Sequence, residues 1–298
     1  MNFWEWYDRH LLAASQYNVP AYELDWLILE QTSLSKLDLR LRSLSTSQQI
    51  SPEILINLEH LWHKRIRDRI PVQYLTGSLL WRNLELQVTP AVLIPRPETE
   101  LIIDIVATNC QDPIYQQGIW ADLGTGSGAI AIAIGQLFPQ AQIHAVDFSK
   151  AALEIAEINA TNNLDQPQVE SKIESQIDFH HGSWFDPLTE LNLENKIAGV
   201  ISNPPYIPSL EVLNLQPEVT NHEPHLALDG GEDGLDAIRE LVNTAPQYLI
   251  SGGFWIVEMM AGQAQIVRSL LQSNGEYTNI QIHQDYSGIE RFISANRK

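Results

Sequence analysis

The 298-residue sequence contains one cysteine, Cys110, which excludes an intrachain disulfide and a cysteine-based zinc site. Its simplest place is as a small buried hydrophobe. Positive charge is also scarce: 18 Lys and Arg stand against 37 Asp and Glu, a net charge of −19. A sequence-independent grip on nucleic acid needs cations that neutralise phosphates, so no stable DNA or RNA partner is expected. No apolar run reaches the roughly 18 residues of a membrane span, and Met1 to Trp6 carry neither a basic n-region nor a long apolar core. A soluble, cytoplasmic chain without a membrane partner is expected. Internal repeats and low-complexity tracts are missing too. What is plentiful is apolar residues, 44% of the chain, enough for one large domain or two modest ones.

The first seventy residues predict helices over 2–17, 21–31 and 52–68. Their apolar positions recur at helical spacing: Trp6, Leu11 and Leu12; Leu24, Leu27 and Ile28; Ile54, Leu55, Leu58, Leu61 and Trp62. Ser51 and Pro52 make a good helix start, a capping hydroxyl followed by proline at the first helical position. The basic run His63 to Arg69 suits the last turn of that helix, where it complements the dipole, and also suits an acidic partner. Five of the eight tryptophans fall within the first 81 residues, consistent with a packed helical core or a docking surface. Leu79-Leu80-Trp81 and Leu84 to Val88 then read as a β-hairpin whose turn contains Asn83. Pro97, Glu98 and Glu100 fit the first turn of a following helix, although Arg96 and Glu98 are also placed to touch a substrate.

A different organisation begins at Ile119. A short apolar strand containing Asp122 runs into Gly124-Thr125-Gly126-Ser127-Gly128, and an Ala/Ile-rich helix follows at once. Glycines there let the backbone approach a ligand without Cβ interference, and the helix start offers free N–H groups. A second strand, Gln142 to Val146, ends in Asp147, a carboxylate suited to the two hydroxyls of a ribose. This is a nucleoside-binding βαβ unit, and its spacing fits NAD as well as S-adenosyl-L-methionine. Asp122, which precedes the first glycine, tilts the balance toward the methyl donor as a carboxylate partner for its ammonium group. Alternation then continues through a helix capped by Ser149, a strand at 177–181 and a strand at 197–202. Trp184, just past a strand end, sits on the edge where open parallel sheets bind ligands.

The strand at 197–202 delivers Asn203-Pro204-Pro205-Tyr206. An amide or aniline-like nitrogen is a poor nucleophile because its lone pair is delocalised, so a site that methylates one must hold both of its N–H groups. The Asn203 carbonyl is one acceptor and a backbone carbonyl of the turn is the other. Pro204 and Pro205 stiffen that turn, and Tyr206 offers a flat face for the planar group. A proline-rich turn with Tyr206 as ordinary packing accounts for the same four residues taken alone. A long irregular stretch follows to about Asp233, of a length suited to a substrate-gating loop. His222-Glu223-Pro224-His225 within it is not expected to hold a metal, because Pro224 breaks helical spacing and no third ligand is evident. A helix from Leu235, a strand at 254–258, a helix at 263–271 and two last apolar runs bring the count to seven strands.

In order along the chain stand Pro71-Val72-Gln73-Tyr74-Leu75-Thr76-Gly77, Ile94-Pro95-Arg96-Pro97-Glu98-Thr99-Glu100, Asp122 to Gly128, Asn203 to Tyr206, Glu223-Pro224 with Leu226-Ala227-Leu228, and Gly230 to Leu235. This ordered set, spanning residues 71 to about 295, resembles the peptide chain release factor N5-glutamine methyltransferases. The resemblance implies an α/β fold: a seven-stranded, Rossmann-like class I methyltransferase domain at 98–298, a β-hairpin linker at 71–97 and a small helical substrate-docking domain at 1–70. It implies S-adenosyl-L-methionine as donor, held by Asp122, Gly124, Thr125, Gly126, Ser127, Gly128, Asp147, Trp184 and Asn203. It further implies Asn203, Pro204, Pro205 and Tyr206 as the catalytic, glutamine-binding turn, acting on the Gly-Gly-Gln glutamine of class 1 release factors. A ribosomal-protein glutamine is an alternative acceptor, and a nucleic-acid base a more distant one. Where many members have Glu, His or Ile and then Gly, this chain reads Glu258-Met259-Met260-Ala261-Gly262-Gln263, which weakens the expectation of a role there.

Overall fold

The computed structural model describes residues 2–44, 50–164 and 177–298, and these form two compact units. One comprises Met1–Ser78 with Gln216–His222; the other comprises Leu79–Leu215 and Glu223–Lys298.

The first unit is helical. Its long helices, Phe3–Gln16, Ala21–Gln31 and Pro52–Arg67, fall where the apolar spacing places them. Ser51 caps the third by accepting from the Ile54 amide at 3.3 Å, and Pro52 occupies the first turn. Short helices Lys36–Leu41 and Val72–Thr76 were not apparent from periodicity, which needs more turns than they have. Trp6, Leu24, Leu27, Ile28, Leu58 and Trp62 build one core. Leu12 departs from expectation and is 68% exposed. Six residues beyond Trp6, it lies about 120° around the helix from the core-facing stripe.

The basic run finds its acidic partners within this unit. Arg65 is buried, paired through Nε and Nη2 with Glu23 and through Nη1 with Glu218 at 2.8 Å. Arg69 reaches the same Glu218 oxygen at 2.6 Å, and the His222 ring meets the Asp68 carbonyl at 2.7 Å. The ion pairs explain why Gln216–His222, distant in sequence, belongs to the helical unit. A buried guanidinium is tolerated only when its charge is paired.

The second unit is an α/β sandwich. A two-stranded hairpin of β1 (Ser78–Trp81) and β2 (Leu84–Gln87) precedes the main sheet. Its positive φ falls on Arg82, not on Asn83. The guanidinium of Arg82 donates to the Glu100 carbonyl and to Asp104, both at 2.9 Å, contacts that hold a residue otherwise disfavoured there. The main sheet contains β3 (Ile119–Leu123), β4 (Gln142–Asp147), β5 (Ile177–His181), β6 (Ile197–Ser202), β7 (Leu249–Glu258), β8 (Tyr277–Gln284) and β9 (Glu290–Arg297), in the order β5-β4-β3-β6-β7-β9-β8. Strands β3 to β7 pair in parallel, whereas β9 is antiparallel to both β7 and β8.

Pleating divides consecutive residues between two cores. Val200, Trp255, Val257 and Ile293 face the helices Asp236–Tyr248 and Ala264–Asn274, while Ile201, Phe254, Ile256 and Phe292 face Leu101–Asn109 and Ala129–Leu137. Cys110 is wholly buried in the second of these cores, and burial pushes its thiol pKa well up, as befits an inert hydrophobe. The stretch expected to be one irregular loop after Tyr206 contains short helices at Ser209–Val212 and Pro217–His222 and a bridge between Ile207 and Asp229. Among the described residues no helix is long and apolar enough to cross a membrane.

Candidate functional site

Chain order along the sheet reverses at β3, whose neighbours are β4 on one side and β6 on the other. Parallel sheets bind ligands outside the strand ends at such a switch point. A cavity of about 370 Å³ opens there, within the span usual for small-molecule sites. Its wall includes Gly124, Gly126, Asp147, Trp184, Asn203 and Pro205, six of the residues singled out from sequence. Asp122, Thr125, Ser127, Gly128, Pro204 and Tyr206 do not line it.

The glycine turn is built on the strand beside it. The amides of Gly124 and Thr125 both donate to the Val146 carbonyl, at 2.8 and 3.0 Å, and the Gly126 amide donates to Asp147 Oδ2 at 2.8 Å. The other Asp147 oxygen accepts from the Ser149 amide at 2.8 Å. Two backbone donors therefore fix the carboxylate at the cavity wall, while burial raises its pKa. Gly124 adopts φ +76°, and a Cβ there would lie 3.5 Å from the Trp184 ring, so Trp184 closes over the turn. Trp184 is itself held at φ +42°, a strained backbone of the kind found at ligand sites.

Asp122 lies beneath this turn, 2% exposed. Its Oδ2 accepts from Thr125 Oγ1 at 2.6 Å and from the Ala131 amide at 3.1 Å, whereas Oδ1 has no hydrogen-bond partner among the described residues. Burial, reinforced by the charge of Asp147, pushes its pKa up to about 7 despite those two donors. It thus ties loop to helix from within. A carboxyl with a folded pKa of about 7 and an ordinary value of 3.8 binds its proton more tightly when folded. The stability it contributes is complete below about pH 4 and is lost as pH rises through 7, at about 1.4 kcal/mol per pH unit in that window. Asp122→Asn is expected to flatten this dependence, measured by urea unfolding from pH 5 to 8. An unchanged slope would remove Asp122 as its source.

Four side chains set the geometry of the Asn203 turn. Asn203 Nδ2 donates to Thr99 Oγ1 at 3.3 Å, the Thr99 hydroxyl donates to Glu258 Oε2 at 2.6 Å, and the Tyr206 hydroxyl donates to Glu258 Oε1 at 2.9 Å. With its NH2 so engaged, Asn203 keeps its side-chain carbonyl as the group to offer a ligand. Burial raises the pKa of Glu258 against the lowering effect of Thr99 and Tyr206, and burial with the Glu258 charge raises that of Tyr206. Glu258 is 1% exposed and Thr99 is 4% exposed. From sequence neither has an evident role, and Thr99 reads as part of a helix start. Only the residue motifs around them were a signal.

Backbone carbonyls of the turn are clamped in the same way. Gln263 Nε2 donates to the Tyr206 carbonyl at 3.0 Å and to the Gly234 carbonyl at 3.2 Å, and its Oε1 accepts from the Met260 amide at 2.9 Å. Gly230 and Gly234 pack against the turn, since a Cβ on Gly230 would lie 2.8 Å from the Pro205 carbonyl and one on Gly234 would lie 2.3 Å from the Tyr206 carbonyl. Gly234 also has φ +75°. Gly234→Ala is therefore expected to cost roughly 1–3 kcal/mol of stability and to displace the turn. Urea unfolding and ligand titration on the purified variant check this; wild-type values in both would show that the turn is not clamped there. Glu223, 4% exposed, joins two further motifs by accepting from the Ile94 amide at 3.2 Å and from Arg96 Nη2 at 2.7 Å. His222 and Glu223 thus have structural partners, and the described residues of that stretch form no metal cluster.

Comparison with known proteins agrees with this geometry. The family model described as "Methyltransferase small domain" matches residues 98–222. A release factor glutamine methyltransferase of Synechocystis is 46% identical, covering 98% of this chain and 95% of its own length. Its counterpart from Thermosynechococcus vestitus is 43% identical, covering 98% and 96%. Among solved structures, a methyltransferase from Pyrococcus furiosus has a similar fold, with a TM-score of 0.51 at 15% identity over 72% of this chain and 89% of that one.

Proposed function

The chain belongs to the release factor glutamine methyltransferases, and from this premise we propose that it methylates the side-chain amide nitrogen, N5, of the glutamine in the Gly-Gly-Gln motif of class 1 peptide chain release factors, with S-adenosyl-L-methionine as donor. The observation that carries the reading is the orientation of Asn203, whose NH2 donates to Thr99 and whose carbonyl remains for a ligand N–H in the cavity wall.

The cavity fits the donor chemically. Gly124 and Gly126 offer a wall without side chains, Trp184 a flat apolar face, and Asp147 an anchored carboxylate with lone pairs left for ribose hydroxyls. Asp122, Thr125, Ser127 and Gly128 act by shaping the turn rather than by touching the ligand. When bound, the donor supplies an electrophilic methyl group on a sulfonium. The chain's own work is positional and electrostatic. Asn203 Oδ1 accepts one amide hydrogen of the glutamine, and the Pro204 carbonyl, with no hydrogen bond from the described residues, accepts the other. Both oxygens also stabilise the positive charge that develops on nitrogen. Its surplus proton leaves after transfer, so no nucleophilic side chain is required. Tyr206, held through its hydroxyl by Glu258, lies against the planar amide.

The domain roles belong to the same reading: residues 1–70 a helical substrate-docking domain, 71–97 a hairpin linker and 98–298 the transferase. Cytoplasmic location follows from the substrate. The direct test uses purified chain, labelled donor and a class 1 release factor. Label should reach the Gly-Gly-Gln glutamine and be lost when that glutamine is replaced by asparagine. In cell extract the label should be protease-sensitive and migrate at release-factor size; nuclease-sensitive label, or label only on ribosomal protein, overturns the reading. Asp147→Ala should separately weaken donor affinity by about tenfold or more, read by titration calorimetry, because buried hydrogen bonds to a carboxylate are worth about 1.5–3 kcal/mol.

A further inference from the structure

The helical unit carries a second cluster of chemically active side chains. His10 comes from the helix Phe3–Gln16, and Glu59 and His63, one turn apart, come from the helix Pro52–Arg67. His10 is 3% exposed, and its Nδ1 lies 2.7 Å from the Trp6 carbonyl. In the neutral ring this contact places the proton on Nδ1 and leaves a lone pair on Nε2. That lone pair faces a carboxylate: Nε2 is 3.3 Å from Glu59 Oε2, and His63 Nε2 is 3.4 Å from Glu59 Oε1. One donor atom from each of the three side chains lies within 4.8 Å of the others.

Lone pairs converging at this separation ask for a cation between them. Zinc in a tetrahedral site has metal–donor distances of about 2.0–2.1 Å, and the donors of such a tetrahedron stand about 3.3–3.4 Å apart. The contacts on either side of Glu59 are of this size, His10 Nε2 lying 3.3 Å from Oε2 and His63 Nε2 3.4 Å from Oε1, so a small rotation of the carboxylate would bring one oxygen into a tetrahedron with both rings. The supporting contacts are also those of a metal site, in which a ligating imidazole gives its other N–H to a carbonyl and a ligating carboxylate is itself hydrogen-bonded. The Trp6 carbonyl serves His10, and Trp6 Nε1 donates to Glu59 Oε2 at 2.7 Å. His63 and Glu59 keep 42% and 33% of their side-chain surface exposed, which gives an ion a path and leaves its fourth position to water. The one neighbouring cation among the described contacts is Arg9, 3.2 Å from Glu59 Oε2; 55% exposed, it is free to swing into solvent.

We propose that His10, Glu59 and His63 form a three-donor site for zinc or a chemically similar divalent ion, which staples the first and third long helices of the helical unit. Nothing in the methyl-transfer reading requires it, so the two stand or fall separately. The test uses the untagged full chain, freed of metal by chelation. Titration with Co2+ is expected to give one ion per chain, with the intense visible absorption of a four- or five-coordinate site, and Zn2+ is expected to displace it. Zn2+ should also raise the thermal midpoint. His63→Ala and Glu59→Gln, both at solvent-accessible positions, should each weaken affinity by about tenfold or more while leaving the far-ultraviolet circular dichroism unchanged. Absence of stoichiometric uptake at micromolar metal overturns the proposal, leaving an ion-pair cluster around Glu59. Uptake undiminished in both variants overturns it equally, because the ion would then sit elsewhere.

Discussion

Asn203→Ala should lower turnover by on the order of 10²–10³-fold or more, the usual effect of deleting one preorganised polar group from a transition-state site. Donor affinity should fall far less, because Gly124, Gly126, Asp147 and Trp184 remain in the cavity wall. Single-turnover methyl transfer and donor titration on the same preparation separate the two quantities. The replacement removes a half-buried amide whose protein partner is Thr99, a loss the fold should tolerate. Full turnover in the variant would sink the acceptor role of Asn203 and with it the proposed handling of the glutamine.

Glu258→Ala should have the next largest effect, acting at a distance from the substrate. Glu258 accepts from both Thr99 and Tyr206, and Thr99 in turn receives the Asn203 amide. Deleting the carboxylate strands two buried hydroxyls, at a cost of roughly 1–3 kcal/mol each, and frees the Asn203 side chain to rotate. A misplacement of about 1 Å at a reacting centre is worth about 10²-fold, so turnover should fall by a factor of that order with donor affinity nearly unchanged. Charge matters as well as shape. Both hydroxyls donate to Glu258, which can satisfy both fully only while ionised, and burial raises its pKa. Turnover should therefore decline on the acid side at a higher pH than an ordinary carboxylate would give. Glu258→Gln should lose that acid limb while retaining more activity than the alanine variant. Wild-type turnover in Glu258→Ala, or an acid limb that persists in Glu258→Gln, would remove Glu258 from the chain of contacts behind Asn203.

Much of the fold was legible because periodicity reports burial. The stripe of Leu24, Leu27 and Ile28 is visible in the letters alone, and the apolar run at 197–201 marks a strand buried on both faces, with Val200 in one core and Ile201 in the other. Short helices such as Lys36–Leu41 escape because one or two turns give no repeat to detect. Gly199 shows another limit. A Cβ there would fall 2.2 Å from the Trp120 ring, yet nothing in the sequence links the two positions.

The site divides along the same line. Motifs set by local chemistry, the glycine turn with Asp147 and the Asn203 to Tyr206 turn, could be read in sequence because each needs particular residues within a few positions. Their partners come from far away: Thr99 is 104 positions from Asn203, Glu258 is 52 from Tyr206, and Gln263 is 57 from Tyr206. Glu258 to Gln263, discounted where the sequence departs from its relatives' pattern, proves to hold the turn through side chains rather than through the missing glycine. Asp122, expected at the ligand, lies beneath the loop and off the cavity wall, bonded to Thr125 and the Ala131 amide. By itself the sequence determined the α/β alternation, the family, and six of the residues that face the cavity. Only the tertiary structure decided which way Asn203 presents its amide, because that depends on a hydroxyl and a carboxylate brought together by packing across the sheet.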